Sequence, residues 1–330
     1  MAYLAQWDVN NQCNLNCKHC RVWKKNDLTQ LSLKEGKELI AQLKYLGVKQ
    51  LILSGGEPFI RKDIFELIDY AKSFKKLVIT TNGTLLTKEK CKILKKYKNL
   101  ILSISLDGMQ KVHDEFRQVP GTFDKVMETL DMLKANKIKF AIKYTLSNET
   151  KEDIYDVIKT VAKKGASEFN VRRVIVFGNA KEKMLLSNEE YREIIKNVIN
   201  VCKENNIIFK TGDPCLIPIF PEIFGIDLEN DDLKRIYAGC QAGDENIYIN
   251  YLGFVGACSY IPVTADNIKA KALDDILKNE FFTNIRNYKD NLKGKCSKCA
   301  YKYICGGCRG SALALKKSLY EEDPLCLLDD

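Results

Sequence analysis

Residues 4–20 read LAQWDVNNQCNLNCKHC, and residues 50–58 read QLILSGGEP. Each stretch begins with a short apolar run and continues into polar or glycine residues, a pattern typical of a buried β-strand that ends in a loop. Between them, residues 32–46 have the apolar spacing of an amphipathic helix. Strand, helix and strand in this order predict one β–α–β unit of a parallel sheet.

The same alternation of short apolar runs and amphipathic stretches continues to about residue 210. The predicted strands cover residues 4–9, 50–53, 77–80, 100–106, 140–144 and 168–176. The predicted helices cover residues 32–46, 62–72, 87–97, 122–136, 151–164 and 187–205. Six strands with helices between them predict an α/β fold, a partial (β/α)6 TIM-like barrel over residues 1–210.

The pattern changes after about residue 211, which predicts a second domain over residues 211–330. A proline-rich connection spans residues 213–221, and residues 247–249 and 254–257 are predicted to form a β-hairpin. Residues 271–288 are predicted to form a helix. Cysteines are dense in this region, which therefore reads as a small cysteine-rich extension of the barrel.

The composition is that of an ordinary globular protein, with 330 residues, 45% hydrophobic residues and a formal net charge of +9. The N-terminus lacks the basic start and apolar stretch of a signal peptide, and no apolar run approaches the roughly 18 residues of a membrane span. We therefore predict a cytoplasmic protein with no membrane partner. Basic and aromatic residues do not cluster into a stacking platform, which argues against a nucleic-acid partner.

The sequence has 13 cysteines, which in a reducing cytosol favour metal ligation over disulfides. Cys13, Cys17 and Cys20 form a C-x3-C-x2-C pattern in the loop after the first strand. Three cysteines at this spacing can hold three corners of a [4Fe–4S] cluster and leave the fourth iron open. The alternative is a zinc site in which His19 is the fourth ligand.

Taken with Ser54-Gly55-Gly56-Glu57-Pro58 after the second strand, this cysteine pattern resembles the radical S-adenosylmethionine (SAM) superfamily. The resemblance implies that one [4Fe–4S] cluster binds SAM at the C-terminal rim of the barrel. It also implies a set of cofactor-binding residues around SAM: His19 beside the adenine, Gly55, Gly56 and Glu57 near the methionine amino group, and Ser105 and Arg117 at the ribose and methionine carboxylate.

Simpler alternatives remain for residues that follow the third and fourth strands. Residues 80–83, Thr-Thr-Asn-Gly, and the pair Asp107-Gly108 have the composition of plain turns. Arg117 has the alternative of pairing with a neighbouring carboxylate. The recurrence of such residues at successive strand ends favours the binding-site interpretation.

Seven further cysteines have an order that resembles the SPASM extension of radical SAM peptide maturases and their relatives, although Cys305 and Cys308 are separated by two residues where the family more often has three. The resemblance implies two auxiliary [4Fe–4S] clusters. It assigns an outer set, Cys296, Cys299, Cys305 and Cys326, and an inner set, Cys240, Cys258 and Cys308. The alternative is a zinc ribbon formed by the four cysteines within residues 296–308.

The inner set is one ligand short, and three cysteines remain unassigned. Cys91 and Cys202 lie in predicted helices, where cysteine is usually a small buried side chain. Cys215 lies in the proline-rich connection and has three alternatives: fourth ligand of the inner cluster, hydrogen donor to a substrate radical, or structural thiol. If no thiol completes the inner cluster, its open iron is available to bind substrate.

By resemblance, the enzyme reductively cleaves SAM to a 5'-deoxyadenosyl radical, using an electron from a flavodoxin- or ferredoxin-type donor, and then oxidises a peptide or small-molecule substrate. The leading hypothesis is a thioether or carbon–carbon crosslink in a ribosomally synthesised peptide or protein. One alternative is tetrapyrrole side-chain modification, as in heme d1 or alternative heme synthesis. The other is a non-catalytic iron–sulfur electron carrier.

Two features weigh on the peptide hypotheses. Ser259 follows Cys258 at the position where sulfatase-maturing enzymes carry a catalytic Asp, which argues against that role. Only twelve residues precede Cys13, so we expect no N-terminal leader-binding domain. The second feature weakens the peptide hypothesis but does not remove it.

Overall fold

A computed structural model of the chain describes residues 3–22, 29–225 and 239–328. Ten described strands form one sheet. In chain order they are β1 (Leu4–Asp8), β2 (Gln50–Ser54), β3 (Lys76–Thr81), β4 (Leu100–Ser105), β5 (Phe140–Leu146), β6 (Glu168–Arg173), β7 (Ile208–Thr211), β8 (Asn246–Ile249), β9 (Phe254–Gly256) and β10 (Thr264–Asn267).

The sheet order is β10-β9-β8-β1-β2-β3-β4-β5-β6-β7, and every pair from β8 through β7 is parallel. The pairs β8–β9 and β9–β10 are antiparallel. The predicted α/β fold with a partial barrel and a C-terminal hairpin is therefore confirmed. Because β8 pairs with β1, the sheet continues from residues 1–210 into residues 211–330, and the division into two domains stays a prediction.

The parallel sheet has two strands more than the six predicted in the barrel. One is β8, which was predicted only as part of the hairpin. The other is β7, whose residues are alternately exposed and half-buried because it lies at the edge of the sheet. A half-exposed edge strand lacks the continuous apolar run by which the other strands were found.

Twelve α-helices are described. They are α1 (Leu33–Tyr45), α2 (Ile64–Tyr70), α3 (Lys88–Leu94), α4 (Gln110–Arg117), α5 (Thr122–Ala135), α6 (Ile154–Lys164), α7 (Asn188–Glu204), α8 (Phe220–Phe224), α9 (Leu273–Leu277), α10 (Glu280–Arg286), α11 (Gly294–Lys298) and α12 (Arg309–Lys316). The six predicted barrel helices correspond to α1, α2, α3, α5, α6 and α7. No helix in the described part of the chain is long and apolar enough to span a membrane.

The single helix predicted over residues 271–288 is wrong, because the structure has α9 and α10 there. The Asn279 side chain accepts a hydrogen bond from the backbone N–H of Phe282 and so caps the start of α10. An N-cap residue has a non-helical backbone, which interrupts the helix between the two segments. The apolar spacing survives the interruption, and it was this spacing that suggested one helix.

Local sequence explains how α1 begins and why it packs on the sheet. The Ser32 hydroxyl accepts from the Glu35 N–H, and the Glu35 carboxylate accepts from the Ser32 N–H at 2.7 Å, which is a capping box. Leu39, Ile40 and Leu43 are fully buried on the face towards the sheet. Burial of side chains of this size stabilises the fold by roughly 1.5–3 kcal/mol each.

Strand β6 was predicted to continue to residue 176 but ends at Arg173. Residues beyond it leave the sheet and contact the loop that contains Cys13, Cys17 and Cys20, called here the three-cysteine loop. The Asn179 N–H donates to the Cys20 carbonyl at 2.9 Å, and its side-chain amide donates to the Cys17 carbonyl at 3.3 Å. Asn179 therefore joins the segment after β6 to the three-cysteine loop.

Candidate active site and auxiliary metal sites

One cavity lies at the C-terminal ends of strands β1 to β5, where the loops of a parallel barrel meet. The sequence analysis named residues in four separate segments as cofactor-binding or metal-binding in the barrel. Eight of them line this cavity: Cys13, Cys17, His19, Cys20, Gly55, Gly56, Ser105 and Arg117. The tertiary structure thus brings the three-cysteine loop, the Gly-Gly turn and α4 to one site.

The three cysteines meet hydrogen-bond donors at the cavity wall. Cys17 is buried, and Cys13 and Cys20 are half-buried. Arg117 Nη1 donates to Cys17 Sγ at 3.5 Å, and Asn82 Nδ2 donates to Cys13 Sγ at 3.8 Å. These two contacts join the three-cysteine loop to α4 and to the residue that follows β3.

His19 presents a neutral aromatic ring to the cavity. Its ring stacks on Phe116 with centroids 4.5 Å apart and planes 10° from parallel. Burial disfavours the charged form and lowers the pKa of His19 to about 3. Nδ1 is buried without a hydrogen-bond partner in the described part of the chain. A buried, unsatisfied ring nitrogen beside a cavity fits a bound group with polar atoms, as expected of an adenine neighbour.

Gly55 and Gly56 allow the end of β2 to approach the three-cysteine loop. A Cβ atom on Gly56 would lie 2.0 Å from the Gln12 carbonyl oxygen, and one on Gly55 would lie 2.3 Å from that of Asn10. The Gly56 N–H donates to the Asn10 carbonyl at 3.1 Å. The family resemblance places these glycines near the methionine amino group of SAM. The structure shows that close approach of the loop backbone already requires them.

Glu57 is fully buried and, unlike its glycine neighbours, does not line the cavity. Its carboxylate accepts from Thr81 Oγ1 at 2.7 Å, from the Asn82 N–H at 2.8 Å and from the Phe59 N–H at 3.1 Å. Burial raises the pKa of Glu57 despite these hydrogen bonds. Glu57 therefore joins the Gly-Gly turn to the end of β3, which places Thr81 and Asn82 on the cavity wall.

Arg117 both lines the cavity and forms the ion pair that was its alternative assignment. Its Nη2 pairs with the Asp107 carboxylate, and both side chains are buried. Burial alone would raise the pKa of Asp107, but the charge of Arg117 holds it below the usual value. Arg117 comes from α4, where no helix was predicted. Asp107 is therefore a bracing residue of the site.

Sequence reasoning missed two cations on neighbouring strands. Lys143 on β5 lines the cavity, and burial together with the charges of Arg172 and Arg21 lowers its pKa to about 8. Arg172 on β6 lies over the ring of Tyr260, 4.9 Å from its centroid, and Tyr260 also lines the cavity. Within the described residues neither Lys143 nor Arg172 has an ion pair. Arg21, by contrast, is paired with Asp8 at 2.8 and 2.9 Å.

A signal for these cations was present in the strand sequences. Along β5, Ile142 and Tyr144 are fully buried, whereas Lys143 and Thr145 between them are half-buried and face the cavity. Strands buried on both faces of a parallel barrel are normally apolar throughout. A lysine inside such a strand therefore indicated an internal cavity, although not its ligand.

The structure places the predicted outer set around one enclosed space. Cys296, Cys299, Cys305 and Cys326 line it, and Cys215 lines it as a fifth thiol. Cys215 is buried, and its Sγ donates to Asp323 Oδ2 at 3.0 Å. Cys215 does not line the cavity of the three-cysteine loop. It thus lies with the outer set, and not with the inner set that it was one candidate to complete.

The inner set, Cys240, Cys258 and Cys308, lies apart from the outer space. Burial raises the pKa of each of these thiols, and neighbouring cysteines of the same set add to the rise. Arg172 shares a small pocket with Cys308 of the inner set. It also lies over the ring of Tyr260, which lines the barrel cavity. Cys91 and Cys202 lie buried in α3 and α7, as expected.

Family models match both halves of this arrangement. Residues 7–161 match the radical SAM superfamily, and residues 240–300 match the SPASM iron-sulfur cluster-binding domain. The chain belongs to the radical SAM superfamily. Its cofactors are accordingly SAM and [4Fe–4S] clusters, and the prediction of a radical SAM enzyme with a SPASM extension is confirmed.

Curated relatives of this radical SAM enzyme include two kinds of protein. The AdoMet-dependent heme synthase of Methanosarcina barkeri is 32% identical over 98% of this chain and 96% of its own length. The antilisterial bacteriocin subtilosin biosynthesis protein AlbA of Bacillus subtilis is 28% identical over 98% of this chain and 70% of its own length. Both relatives are named for a biosynthetic role, which supports the hypothesis that this chain is an enzyme over the hypothesis that it is an electron carrier.

A solved structure shows the same fold. SuiB of Streptococcus suis, bound to its precursor peptide SuiA, superposes with a TM-score of 0.85 at 24% identity, over 99% of this chain and 76% of that one. At this level of identity the likeness concerns the fold alone. The radical SAM barrel and its SPASM extension are therefore arranged as in a known member of the superfamily.

Proposed function

We propose that this radical SAM enzyme oxidatively decarboxylates side chains of an iron tetrapyrrole. The observation that carries the proposal is a pair of cations that have no ion pair among the described residues. Lys143 lines the cavity, and Arg172 lies over Tyr260 of the cavity wall and shares a small pocket with Cys308. A half-buried cation loses hydration free energy unless an anion binds beside it. A carboxylate of the substrate is such an anion.

The cofactor assignment rests on the same cavity. We assign Cys13, Cys17 and Cys20 to the SAM-binding cluster, and the two auxiliary clusters to the inner and outer sets. When bound, these groups supply one-electron chemistry: cleavage of SAM to a 5'-deoxyadenosyl radical with an electron from a flavodoxin- or ferredoxin-type donor, and acceptance of the electron that the substrate loses. The protein's own residues orient the substrate carboxylate and exclude water from the radical.

The proposed reaction converts a propionate side chain into a vinyl group. The 5'-deoxyadenosyl radical takes one hydrogen atom from the side-chain carbon attached to the ring. The carbon radical then releases carbon dioxide and one electron as the double bond forms. One electron enters with SAM cleavage and one leaves with decarboxylation, so SAM and propionate become methionine, 5'-deoxyadenosine, carbon dioxide and the vinyl product.

The relatives support a tetrapyrrole among possible carboxylate substrates. The Methanosarcina barkeri protein named as a heme synthase matches nearly the whole of this chain and is nearly wholly covered by it. Heme carries vinyl groups where iron coproporphyrin III carries propionates. Lys143 and Arg172 give this chain the charge that binding of a propionate requires.

Iron coproporphyrin III is the probe for a direct test with the anaerobically reconstituted enzyme. Lys143→Met and Arg172→Met keep much of the side-chain volume but remove the charge, and we expect each to weaken binding of the probe about 10- to 100-fold, the loss of one charged hydrogen bond. Lys139→Met is the matched control, because Lys139 is exposed just before β5. Binding is measured by titration of the tetrapyrrole absorbance, and carbon dioxide by isotope release.

The outcomes separate the proposal from the family assignment. Wild-type protein that cleaves SAM but neither binds nor decarboxylates iron coproporphyrin III remains a radical SAM enzyme with a different substrate. Unchanged binding of the probe by both variants would show that the two cations do not recognise its carboxylates. Retained SAM cleavage with weakened probe binding is the result that supports the proposal.

A peptide crosslink is the second candidate, supported by the 28% identity to AlbA over nearly the whole chain. The probe is a short cysteine-containing peptide encoded beside the gene for this enzyme. Loss of two hydrogen atoms from that peptide by mass spectrometry, equally in wild type and in Lys143→Met, would favour this candidate. The same variant would instead lose activity if a carboxylate were the reacting group.

A further inference from the structure

Asp323 is a fully buried carboxylate that contacts both auxiliary regions. Its Oδ2 accepts from the Cys308 N–H at 2.6 Å and from the Cys215 thiol at 3.0 Å. Its Oδ1 accepts from the Leu325 N–H at 3.0 Å, one residue before Cys326. One side chain therefore touches the backbone of an inner-set cysteine and the segment that carries an outer-set cysteine.

Buried polar contacts connect this carboxylate to the barrel. The Cys215 N–H donates to Asp213 Oδ1 at 3.0 Å, and Arg173 Nε lies 3.5 Å from Asp213 Oδ2. Arg173, from β6, also donates to the Leu325 carbonyl at 3.0 Å. Arg173, Asp213, Cys215, Asp323 and Leu325 thus form a closed network that joins the barrel, the proline-rich connection and the C-terminal segment.

We infer that Asp323 is a positioning residue that holds the inner and outer clusters in a common frame and lowers the reduction potentials of both. The inference rests on the ligand sets proposed above. A buried negative charge next to iron–sulfur ligands favours the oxidised cluster, and hydrogen bonds that orient ligands tune its potential. Because Asp323 contacts both the inner set and the segment of Cys326, a substitution of Asp323 should change the reduction potentials of both clusters.

The same network assigns Cys215 the role of a hydrogen-bond donor. Five thiols line the outer space, whereas a cubane cluster takes four ligands. The Cys215 thiol is already engaged by Asp323, and its N–H by Asp213. Cys215 is thus the thiol left over, and its contact with Asp323 links the connection to the auxiliary clusters.

The test measures iron content and cluster potentials in reconstituted full-length protein, without substrate. In Asp323→Asn we expect about twelve irons per chain, as for three [4Fe–4S] clusters. The potentials of both auxiliary clusters should rise in an EPR-monitored titration, and that of the SAM-binding cluster should stay unchanged. A shift of one auxiliary cluster alone, or of neither, would overturn the inference.

If Asp323→Asn does not fold, Cys215 variants test the same inference. Cys215→Ala should keep all irons and shift both auxiliary potentials by less than Asp323→Asn, because one donor to the carboxylate is lost. Cys215→Ser restores a donor and should return the potentials towards wild type. Loss of about four irons in Cys215→Ala would make Cys215 a ligand and refute its assigned role. Wild-type protein without two auxiliary EPR signals would instead refute the ligand sets themselves.

Discussion

The two metal-binding regions of the molecule are built in different ways. The three-cysteine loop holds Cys13, Cys17 and Cys20 within one short connection after β1, and the Gly-Gly turn seats that loop against β2. The auxiliary sets draw cysteines from separate segments between residues 240 and 326, and Asp323 joins them. A local loop can be recognised by its spacing, whereas an interleaved site depends on packing between distant segments.

Charge also differs between the two regions. The barrel cavity is lined or bordered by Lys143, Arg117 and Arg172, of which only Arg117 has an acidic partner among the described residues. The auxiliary region has Asp323 buried among thiols, and burial raises the pKa of that carboxyl group. Unpaired cations suit recognition of an anionic ligand, while a buried acid with full hydrogen bonding suits a structural and electrostatic role.

The largest expected effect comes from removing the local site. The triple variant Cys13→Ala, Cys17→Ala, Cys20→Ala should lose about four irons and all SAM cleavage. Iron is counted after anaerobic reconstitution, and 5'-deoxyadenosine is measured after dithionite reduction. The auxiliary EPR signals should remain, because no residue of the loop belongs to those sets. Zinc in place of iron, or 5'-deoxyadenosine from the variant, would contradict the assignment.

Removal of an inner-set ligand should disrupt an auxiliary cluster and leave the SAM-binding site intact. Cys258→Ala is expected to lose about four irons, since two remaining cysteines do not hold a cluster. SAM cleavage should persist, because the three-cysteine loop is intact, while product formation stops. Cys91→Ala, at a buried cysteine in α3, is the matched control that should keep every iron. Loss of SAM cleavage in Cys258→Ala would show that the regions are not independent.

The buried ion pair of Arg117 and Asp107 should contribute more to the free energy of unfolding than an exposed ion pair does. Arg117→Gln leaves the Asp107 carboxylate buried without its cation, and we expect it to lower the free energy of unfolding by about 3–5 kcal/mol. Lys278→Gln removes the exposed partner of Asp274 and should lower the free energy of unfolding far less. Urea unfolding of both variants checks the difference. Equal losses would mean that burial does not strengthen the Arg117 pair.

The smallest expected effect is a pH dependence of binding. The Lys143 pKa of about 8 in the free protein means that its charge is lost as the pH rises through this value. Affinity for iron coproporphyrin III should therefore fall from pH 7 to pH 9, by about tenfold at most. Lys143→Arg stays protonated in that range and should flatten the profile. An unchanged slope in Lys143→Arg would exclude Lys143 as the titrating group.

Much of the fold was predictable because its elements have strong local signals. Strands β1 to β6 begin within one residue of their predicted starts, since each carries a compact apolar run. The helix predicted over 271–288 failed because Asn279 caps a new helix without disturbing the apolar spacing. Residues 174–176 are apolar enough for a strand, yet β6 ends at Arg173 and the chain then leads to Asn179, which bonds to the three-cysteine loop.

The candidate site likewise contains some residues that local sequence motifs indicated and others that they did not. Motif spacing pointed to the cysteines, to His19 and to the Gly-Gly turn, all of which line or enclose the cavity. Lys143 and Arg172 were missed because a lysine or arginine in a strand shows no ligand by itself. Their relation to Tyr260 and Cys308 exists only when β5, β6 and the C-terminal segments are packed together.

The sequence by itself determined the family and the kinds of cofactor, because the cysteine and glycine motifs that identify them each lie within one short stretch of chain. Only the tertiary structure decided that Cys215 lies with the outer set, that Glu57 supports the cavity wall without lining it, and that Lys143 lines the cavity without an ion pair among the described residues. Hydrogen bonds and charges between segments far apart in the chain depend on packing, and no local pattern of residues specifies them.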